Sequence, residues 1–327
     1  MKKYKLIFLV TCILLLIFTL ASCNNDEQPA PSTEYFTVTF NSNGGSPLDA
    51  IKVPKNSKIT QLITPTRDGY IFDGWTRGGK KWDVNSEKVT EDLTLEAKWV
   101  DASSVYVIEA LDTGVKIISV KRSFENMSVP SVIGGRPVVA IGDGVFEGTS
   151  TADTKSITVA SSVTYIGNSA FKDCTGVSIT VEGALTQVGE LAFYGCDGLT
   201  GINLGEGLEH IPAQSFSGCS SLAELVLPST VKLIDENAFE DCSGLVSIIM
   251  HGSLEAVLDG AFLGADALRT VYLYGTQQEA DAIDVTPEGN GTFIEALEEN
   301  LYFYSEERPS DDGKYWYFND NGKIRIW

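Results

Sequence analysis

Cysteine is the residue type whose number and spacing in this chain could carry metal or redox chemistry. The four cysteines of the central region recur at intervals of 22 or 23 residues: Cys174, Cys196, Cys219 and Cys242. Zinc sites pair their cysteines about two to four residues apart, so this spacing does not predict a metal site. Placed one per structural repeat, the four would form a ladder of small buried thiols. Disulfides between neighbouring cysteines are the alternative.

Histidines and acidic residues complete the set of groups that could do chemistry. The chain holds two histidines, His210 and His251, and it contains no H-E-x-x-H, G-x-S-x-G or P-loop motif. It also holds 44 acidic residues. A glycosidase needs only a pair of carboxylates, so composition leaves a carbohydrate-active enzyme open. We expect no catalytic site, no metal and no cofactor.

The cysteines belong to a sequence unit that is written six times between Ile141 and Leu273. A phenylalanine recurs in every copy, 22 to 25 residues from the last: Phe146, Phe171, Phe193, Phe216, Phe239 and Phe262. A period in this range is typical of solenoids, whose units bury their apolar faces only by stacking on one another. We therefore predict a mostly β solenoid of about six repeats of about 23 residues. Each repeat has short strands and a helical turn that points Phe and Cys into one continuous core.

The repeat unit can be written I-x-x-x-A-F-x-x-C-x-x-L-x-x-I-x-L, and residues 234–250 match it at every defined position except the last, where Met250 replaces leucine. This unit resembles the BspA-like leucine-rich repeat family, and the resemblance extends over residues 104–327. It implies a non-enzymatic bacterial surface protein that attaches to host proteins or to other bacteria. The solenoid proper is expected over residues 141–275, between an N-terminal cap hairpin at 101–140 and a C-terminal cap at 276–327.

A smaller module is expected before the solenoid, over residues 35–100. Alternating strands and Gly-rich turns appear in the segments Thr37–Gly45, Pro65–Trp75 and Leu93–Trp99. These three segments together resemble an internalin B-type repeat, also called a Listeria-Bacteroides repeat. The resemblance implies a small β-grasp, ubiquitin-like fold that serves as a spacer or a weak ligand binder.

The first residues indicate export and attachment to a membrane. Three lysines precede an apolar run from Leu6 to Leu20, which predicts a signal peptide over residues 1–22. The sequence Leu20-Ala21-Ser22-Cys23 resembles the lipobox of bacterial lipoproteins, which implies lipidation of Cys23 and an extracellular, membrane-anchored protein. An ordinary cleaved signal with an accidental cysteine is the alternative. Residues 23–34 are polar and hold two prolines, as expected of a flexible tether.

Net charge and surface patterning limit the partners. The net charge of −20 repels phosphate backbones, so nucleic acid is excluded as a partner. Outward-facing positions of the predicted strands become apolar toward the C-terminal end, and Val226, Ile249 and Tyr272 would form an exposed stripe beside Glu224 and Asn203. Such a stripe is typical of protein-binding sites, although strand propensity or a covering C-terminal cap would also explain it.

These observations predict a monomeric cell-surface protein that binds host extracellular matrix proteins or other bacterial surface proteins through its solenoid. A cell-wall or glycan-binding protein, or a carbohydrate-active enzyme, is the rival interpretation.

Overall fold

The computed structural model describes residues 33–60, 64–84, 86–150, 152, 154–310 and 313–327. The predicted signal peptide and Cys23 lie outside the described residues, as does nearly all of the tether. The apolar side chains of the described residues form two cores, a small one built from residues before 100 and a large one that runs through the solenoid.

The N-terminal module is a mixed sheet of five strands. Its strands are β1 (Tyr35–Asn41), β2 (Ile51–Pro54), β3 (Tyr70–Arg77), β4 (Lys80–Trp82) and β5 (Leu93–Asp101). They are ordered β2-β1-β5-β3-β4, with β1 and β5 parallel at the centre and the other pairs antiparallel. Alternate residues of β1 and β5 enter the small core, as the period of a half-buried strand requires. The described residues between β2 and β3 form no helix.

The module is joined to the solenoid by packing as well as by the chain. Ile71 of β3 belongs to the large core and not to the small one. The backbone N–H of Ala102 donates to the carbonyl of Gly69 at 2.9 Å, and the Ser131 hydroxyl donates to Asp68 Oδ1 at 2.9 Å. The module therefore forms a packed extension of the solenoid end.

Short strands in parallel ladders build the first half of the solenoid. After a 3₁₀ helix at Ala102–Ser104, they are β6 (Tyr106–Ala110), β7 (Val115–Val120), β8 (Asn126–Val129), β9 (Val132–Ile133), β10 (Arg136–Ile141), β11 (Ser156–Val159), β12 (Tyr165–Ile166), β13 (Ser178–Val181) and β14 (Gln187–Val188). One ladder runs β7-β10-β12-β14, and the other runs β8-β11-β13. The predicted hairpin is confirmed as β6 paired antiparallel with β7. Because β7 and β8 join the two ladders, this hairpin starts the stack.

The second half repeats this plan and ends in aromatic strands. Its elements are β15 (His210–Ile211), β16 (Glu224–Val226), β17 (Leu233–Ile234), β18 (Ser247–His251), β19 (Ala256–Val257), β20 (Thr270–Tyr274), α1 (Gln277–Asp281), β21 (Asp284–Val285), α2 (Gly291–Glu299), β22 (Leu301–Tyr304), β23 (Tyr315–Phe318) and β24 (Ile324–Ile326). The ladders are β15-β17-β19-β21 and the main sheet β16-β18-β20-β22-β23-β24. Both ladders continue beyond residue 275, since β21 and β22 extend them in parallel.

A third ladder, made of turns, carries the phenylalanines. In the coil of Phe171, the N–H groups of Ser169, Phe171 and Asp173 donate to carbonyls of the following coil at 2.7 to 2.9 Å. Ser169 and Asp173 have φ of 53° and 59°, and the same positions in the other coils are also left-handed. The predicted helical turn is therefore wrong, because these residues are non-helical turns whose alternate N–H groups must all point toward the next coil.

The repeated side chains lie where the sequence predicts. The six phenylalanine rings stack face to face with centroids 5.1 to 5.4 Å apart. Beside them, the four cysteines are buried and free, and each thiol donates to a phenylalanine carbonyl of the preceding coil at 3.0 to 3.3 Å. The prediction of buried free thiols is confirmed, and the alternative of disulfides is excluded in this structure.

A seventh ring, which the repeat period does not reveal, closes the stack. Phe293 of α2 lies 4.6 Å from Phe262, and Ala296 is buried one helical turn later, in the slot that cysteine fills elsewhere. Asn290 is fully buried beside it and accepts a hydrogen bond from the N–H of Phe262 at 3.0 Å. Its amide also donates to the carbonyls of Leu258 and Thr286. The Asn290 side chain therefore pairs three backbone groups at the end of the stack.

Candidate protein-binding surface

The candidate surface is the outward face of the main sheet. Parallel register aligns its side chains in rows across the strands, because each strand is one repeat further along the chain. One row is Val226, Ile249, Tyr272 and Tyr302, and the row beside it begins Glu224, Ser247 and Thr270. The equivalent positions in β11 and β13 hold only serine and threonine. One row of the outward face therefore changes from threonine in the first half to apolar and aromatic residues in the second, while the row beside it stays polar.

Three of the five residues predicted to bind a partner are exposed. Glu224 and Val226 lie on β16 at the free edge of the main sheet, and Val226 is 45% exposed. Asn203 is also exposed, but it belongs to the segment 199–204, which forms isolated bridges and no strand. The structure thus brings Glu224 and Val226 into one surface with β18 and β20, while Asn203 lies outside the ladder.

The expectation of an exposed stripe is wrong for Ile249 and holds only in part for Tyr272. Ile249 is 3% exposed, because it is flanked in register by Val226 and by the longer side chain of Tyr272. Tyr272 is half-buried, with its ring 5.4 Å from that of Trp316. The C-terminal strands therefore cover this end of the row, in agreement with the alternative that a C-terminal cap covers the stripe. Whether the row binds a partner remains a prediction.

A cluster of rings continues the surface across the last strands. We call it the aromatic face and define it as His251, Tyr272, Tyr274, Tyr302, Tyr304, Trp316 and Phe318. The centroid of Tyr274 lies 4.5 Å from Tyr304, 4.8 Å from His251 and 4.8 Å from Trp316. Trp316 is fully buried at the centre, and its indole N–H has no hydrogen-bond partner among the described residues. Phe318 remains 42% exposed at the rim.

Most of the aromatic face was missed from the sequence. The segment 301–304 was assigned to a cap, yet its alternation of Tyr302, Phe303 and Tyr304 has the period of a strand with one face buried. In the structure Phe303 packs against the large core, and the two tyrosines face outward. Aligning this segment as one more repeat strand would have placed both tyrosines beside Tyr272.

Partial burial changes the acid–base behaviour of the surface. Desolvation raises the pKa of Tyr272, and it raises the pKa of Tyr274 to about 12 with a contribution from neighbouring Tyr304. Desolvation also lowers the pKa of His251 and raises that of Glu224. At neutral pH the tyrosines are uncharged and the histidine favours its neutral form. These three side chains of the aromatic face are therefore polar but uncharged. A partner could displace water from them without burying a charge.

The repeat period, the stacked rings and the parallel ladders agree with comparisons to known proteins. Residues 139–269 match the family model described as BspA type leucine rich repeat region, in six copies. This region is a BspA-type leucine-rich repeat. Residues 36–98 match the Listeria-Bacteroides repeat domain. Both family resemblances predicted from the sequence are confirmed.

Individual relatives resemble the chain over limited parts. Internalin H of Listeria monocytogenes is 37% identical over 73 residues, which is 21% of this chain and 13% of internalin H. A protein of Evansella cellulosilytica, named as a Gly-rich membrane protein, is 37% identical over 67 residues, 20% of this chain and 8% of its own length. The chain therefore spans about a tenth of the length of these curated relatives.

Two solved structures are also similar to this chain. The Treponema pallidum leucine-rich repeat protein is 28% identical, and the match covers 52% of this chain and 79% of that protein, with a TM-score of 0.46. A leucine-rich cell surface protein of Faecalibacterium prausnitzii is 22% identical, covering 68% of this chain and 58% of that protein, also with a TM-score of 0.46.

The cysteines of the BspA-type repeat serve packing. Burial raises the pKa of Cys219 well above its usual range and raises that of Cys242 to about 12, so these thiols stay protonated and unreactive. No group of three or more His, Cys, Asp or Glu residues in the described part of the chain is arranged to hold a metal ion. The two histidines are on separate strands, β15 and β18.

Proposed function

We propose that this chain is a non-enzymatic cell-surface protein that binds other proteins through the outward face of its main sheet. The aromatic face, together with Val226 and Glu224, is the observation that carries the proposal. Tyrosine and tryptophan dominate the binding energy of protein interfaces because they bury a large area and lose little conformational freedom. Here they are concentrated at one end of one face, while the equivalent positions of the first coils are polar.

The class of partner follows from the shape and charge of this surface. A parallel sheet with side chains in straight rows offers an extended contact area, which suits a folded protein or a long peptide better than a small molecule. BspA-type repeats are binding scaffolds, which supports an adhesive role toward host matrix proteins or other bacterial surface proteins. The net charge of −20 disfavours nucleic acid. We expect the protein to act as a monomer.

Attachment to the cell is the second part of the proposal. The apolar run before Cys23 and the sequence Leu20-Ala21-Ser22-Cys23 support a signal that is removed and a cysteine that is lipidated. No described helix has the length and apolar character that crossing a membrane requires. A lipid on Cys23 would hold the tether, the module and the solenoid at the outer face of the cell.

Binding can be tested with one substitution and a matched control. Val226→Asp should weaken binding to a matrix or bacterial surface protein about ten-fold, since placing a charge in an apolar contact costs ~1.4 kcal/mol or more. Val246→Asp is the control, because Val246 is 49% exposed and precedes β18 outside the main-sheet face. Equal affinity of the two variants would refute this surface. Retention by purified peptidoglycan alone, with no protein bound, would favour the glycan-binding alternative.

The anchor has a separate test. Replacing Cys23 by alanine should release the protein into the culture medium, because lipidation needs the thiol. Cell fractionation followed by immunoblotting measures this, with Cys12→Ala, inside the apolar run, as the control that leaves the lipobox intact. Continued membrane retention of the Cys23 variant would show that another feature holds the chain at the cell.

A further inference from the structure

Both ladders of the solenoid are interrupted at the same place. The short strands β14 and β15 hold equivalent positions in successive coils, yet they belong to separate sheets, and no described backbone hydrogen bond joins them. Residues 199–204 occupy the main-sheet position before β16, and none of their backbone groups bonds with the described residues 222–227. We call this place, between the coil of Phe193 and the coil of Phe216, the central boundary.

Proline and glycine explain the two interruptions. In the other coils the residue after the short strand donates its N–H to the preceding coil, as Asp235 does to the Ile211 carbonyl at 2.9 Å. Pro212 holds this position at the central boundary, and proline has no N–H to donate. In the main sheet, Gly201 stands where β16 has Glu224, and a glycine weakens a strand because it loses more conformational entropy on ordering.

The contacts that remain across the central boundary lie at two edges of the coil. At one edge, three N–H groups of the turn ladder donate across the boundary at 2.7 to 3.3 Å, and the rings of Phe193 and Phe216 stack at 5.4 Å. At the other edge, the connection after the main strand is held by side chains. The Ser229 hydroxyl donates to Glu206 at 2.8 Å, and the Thr230 hydroxyl donates to a backbone carbonyl at 2.8 Å.

These two edges lie opposite each other, because short strand, turn, main strand and connection follow one another around each coil. The two sides between them, where the ladders run, have no backbone hydrogen bonds across the boundary among the described residues. Water is therefore expected to pair the backbone groups on those sides. The central boundary is held along one line and is open on either side of that line.

The boundary also separates two different surfaces. Residues 101–200 hold 11 acidic and six basic residues, whereas residues 201–300 hold 17 acidic and two basic ones. The aromatic face and Val226 belong to the second half, and β3 of the N-terminal module packs against β8 in the first half. Relative motion at the boundary would therefore move the aromatic face as a unit with respect to the module.

We propose that the solenoid consists of two rigid halves that rock against each other at the central boundary. The axis runs from the turn ladder to the contact between Glu206 and Ser229. The gap between β14 and β15 widens as the gap between residues 199–204 and β16 narrows, and the reverse. Small rotations keep the rings stacked, because the rings lie beside the turn ladder at one end of the axis. The motion changes the angle of the aromatic face to the module whether or not that face binds a protein.

Distance distributions between pairs of spin labels, measured by pulsed electron resonance, test the proposal. In the Cys23→Ala protein without its signal peptide, labels attach only to introduced cysteines, because the four native ones are buried. The pair Thr164→Cys and Asp284→Cys crosses the central boundary, and the pair Glu224→Cys and Arg325→Cys lies within the main sheet. All four positions are exposed, and each pair spans five strand spacings, about 24 Å.

The crossing pair should give a distribution about twice as wide as the pair within the sheet, because only the crossing pair senses the motion of one half against the other. Equal widths for the two pairs would overturn the proposal. Thermal unfolding of each labelled protein verifies that it is folded.

Two substitutions test the cause of the motion. Pro212→Asp restores an N–H that can donate to the Val188 carbonyl, as Asp235 donates to that of Ile211, so it should narrow the crossing distribution and leave the other unchanged. Asp235→Pro removes the equivalent bond one coil later and should widen the crossing distribution further. An unchanged width in a folded Pro212→Asp protein would overturn the assignment of Pro212 as the cause.

Discussion

The two ends of the phenylalanine stack differ although the same repeat lies between them. At the C-terminal end, Phe293 covers Phe262 and Asn290 satisfies three backbone groups. At the N-terminal end, Phe146 lies beside an open pocket of about 260 Å³, and no described residue donates to the carbonyls of Asp143, Val145 and Glu147. A solenoid must seal its ends, because each coil presents to the next the apolar area and polar groups that another coil would cover. This chain seals one end closely and leaves space at the other.

Removal of the terminal rings should show this difference most strongly. Phe293→Ala should lower the free energy of unfolding by about 4 kcal/mol, because it leaves a void among fully buried side chains. Phe146→Ala should cost less, about 3 kcal/mol, since its surroundings already include a cavity and can relax into it. Urea denaturation followed by circular dichroism measures both. An equal or larger loss for Phe146 would mean that the N-terminal end is as tightly packed as the other.

Replacing Asn290, which pairs the backbone groups at the C-terminal end, should give the next largest loss of unfolding free energy. Asn290→Ala removes the acceptor for the Phe262 N–H and the donors to two buried carbonyls, so we expect a loss of about 3 kcal/mol. Asn168→Ala is the matched control in a middle coil, where the side chain of an exposed asparagine accepts the Glu190 N–H at 2.9 Å, and it should cost less than about 1 kcal/mol. Similar losses in the same denaturation assay would contradict the assignment of Asn290 as the seal.

The smallest predicted change in unfolding free energy comes from a middle coil, and this change stabilises the protein. Ser215 is fully buried, and its hydroxyl finds no hydrogen-bond partner in the described part of the chain, whereas Ala192 and Ala238 fill the same slot in the neighbouring coils. Ser215→Ala should therefore stabilise the protein by about 1 kcal/mol, because an unpaired buried hydroxyl is removed with little change in volume. A higher midpoint of thermal unfolding is the expected measurement. A lower midpoint would indicate that the hydroxyl has a partner in solution.

The interior of the solenoid was predictable because every coil repeats one environment. The positions of Phe, Cys and the preceding aliphatic residue recur at a fixed period, and that period alone assigns them to the core. Phe216, Cys219 and Ile211 are all fully buried, as this argument predicts. The resemblance to the internalin B-type repeat gave the N-terminal module in the same way, since its turns and aromatic residues are local in the sequence.

The ends and the outer surface were less predictable because neighbours that break the period determine them. Phe293 follows Val285 by eight residues, where the repeat has five, so periodicity did not detect the seventh ring. Ile249 was expected to be exposed from strand alternation, yet flanking side chains cover it. The turns were expected to be helical from their composition. Only the hydrogen bonds between coils explain why residues such as Leu191 adopt φ of 57° there.

The ladder of turns also has an electrostatic consequence. The three peptide groups of each coil that donate N–H to the next coil all point the same way, with N–H groups toward the C-terminal end and carbonyls toward the N-terminal end, so the dipoles of these groups add along the solenoid axis. The negative pole then lies beside Lys121 and Arg122, which line the open pocket near Phe146. The positive pole lies beside the last coil, which contributes Glu288, Glu295 and Glu298. Each pole thus has side chains of opposite charge nearby, and a longer stack of the same coils would keep that polarity from end to end.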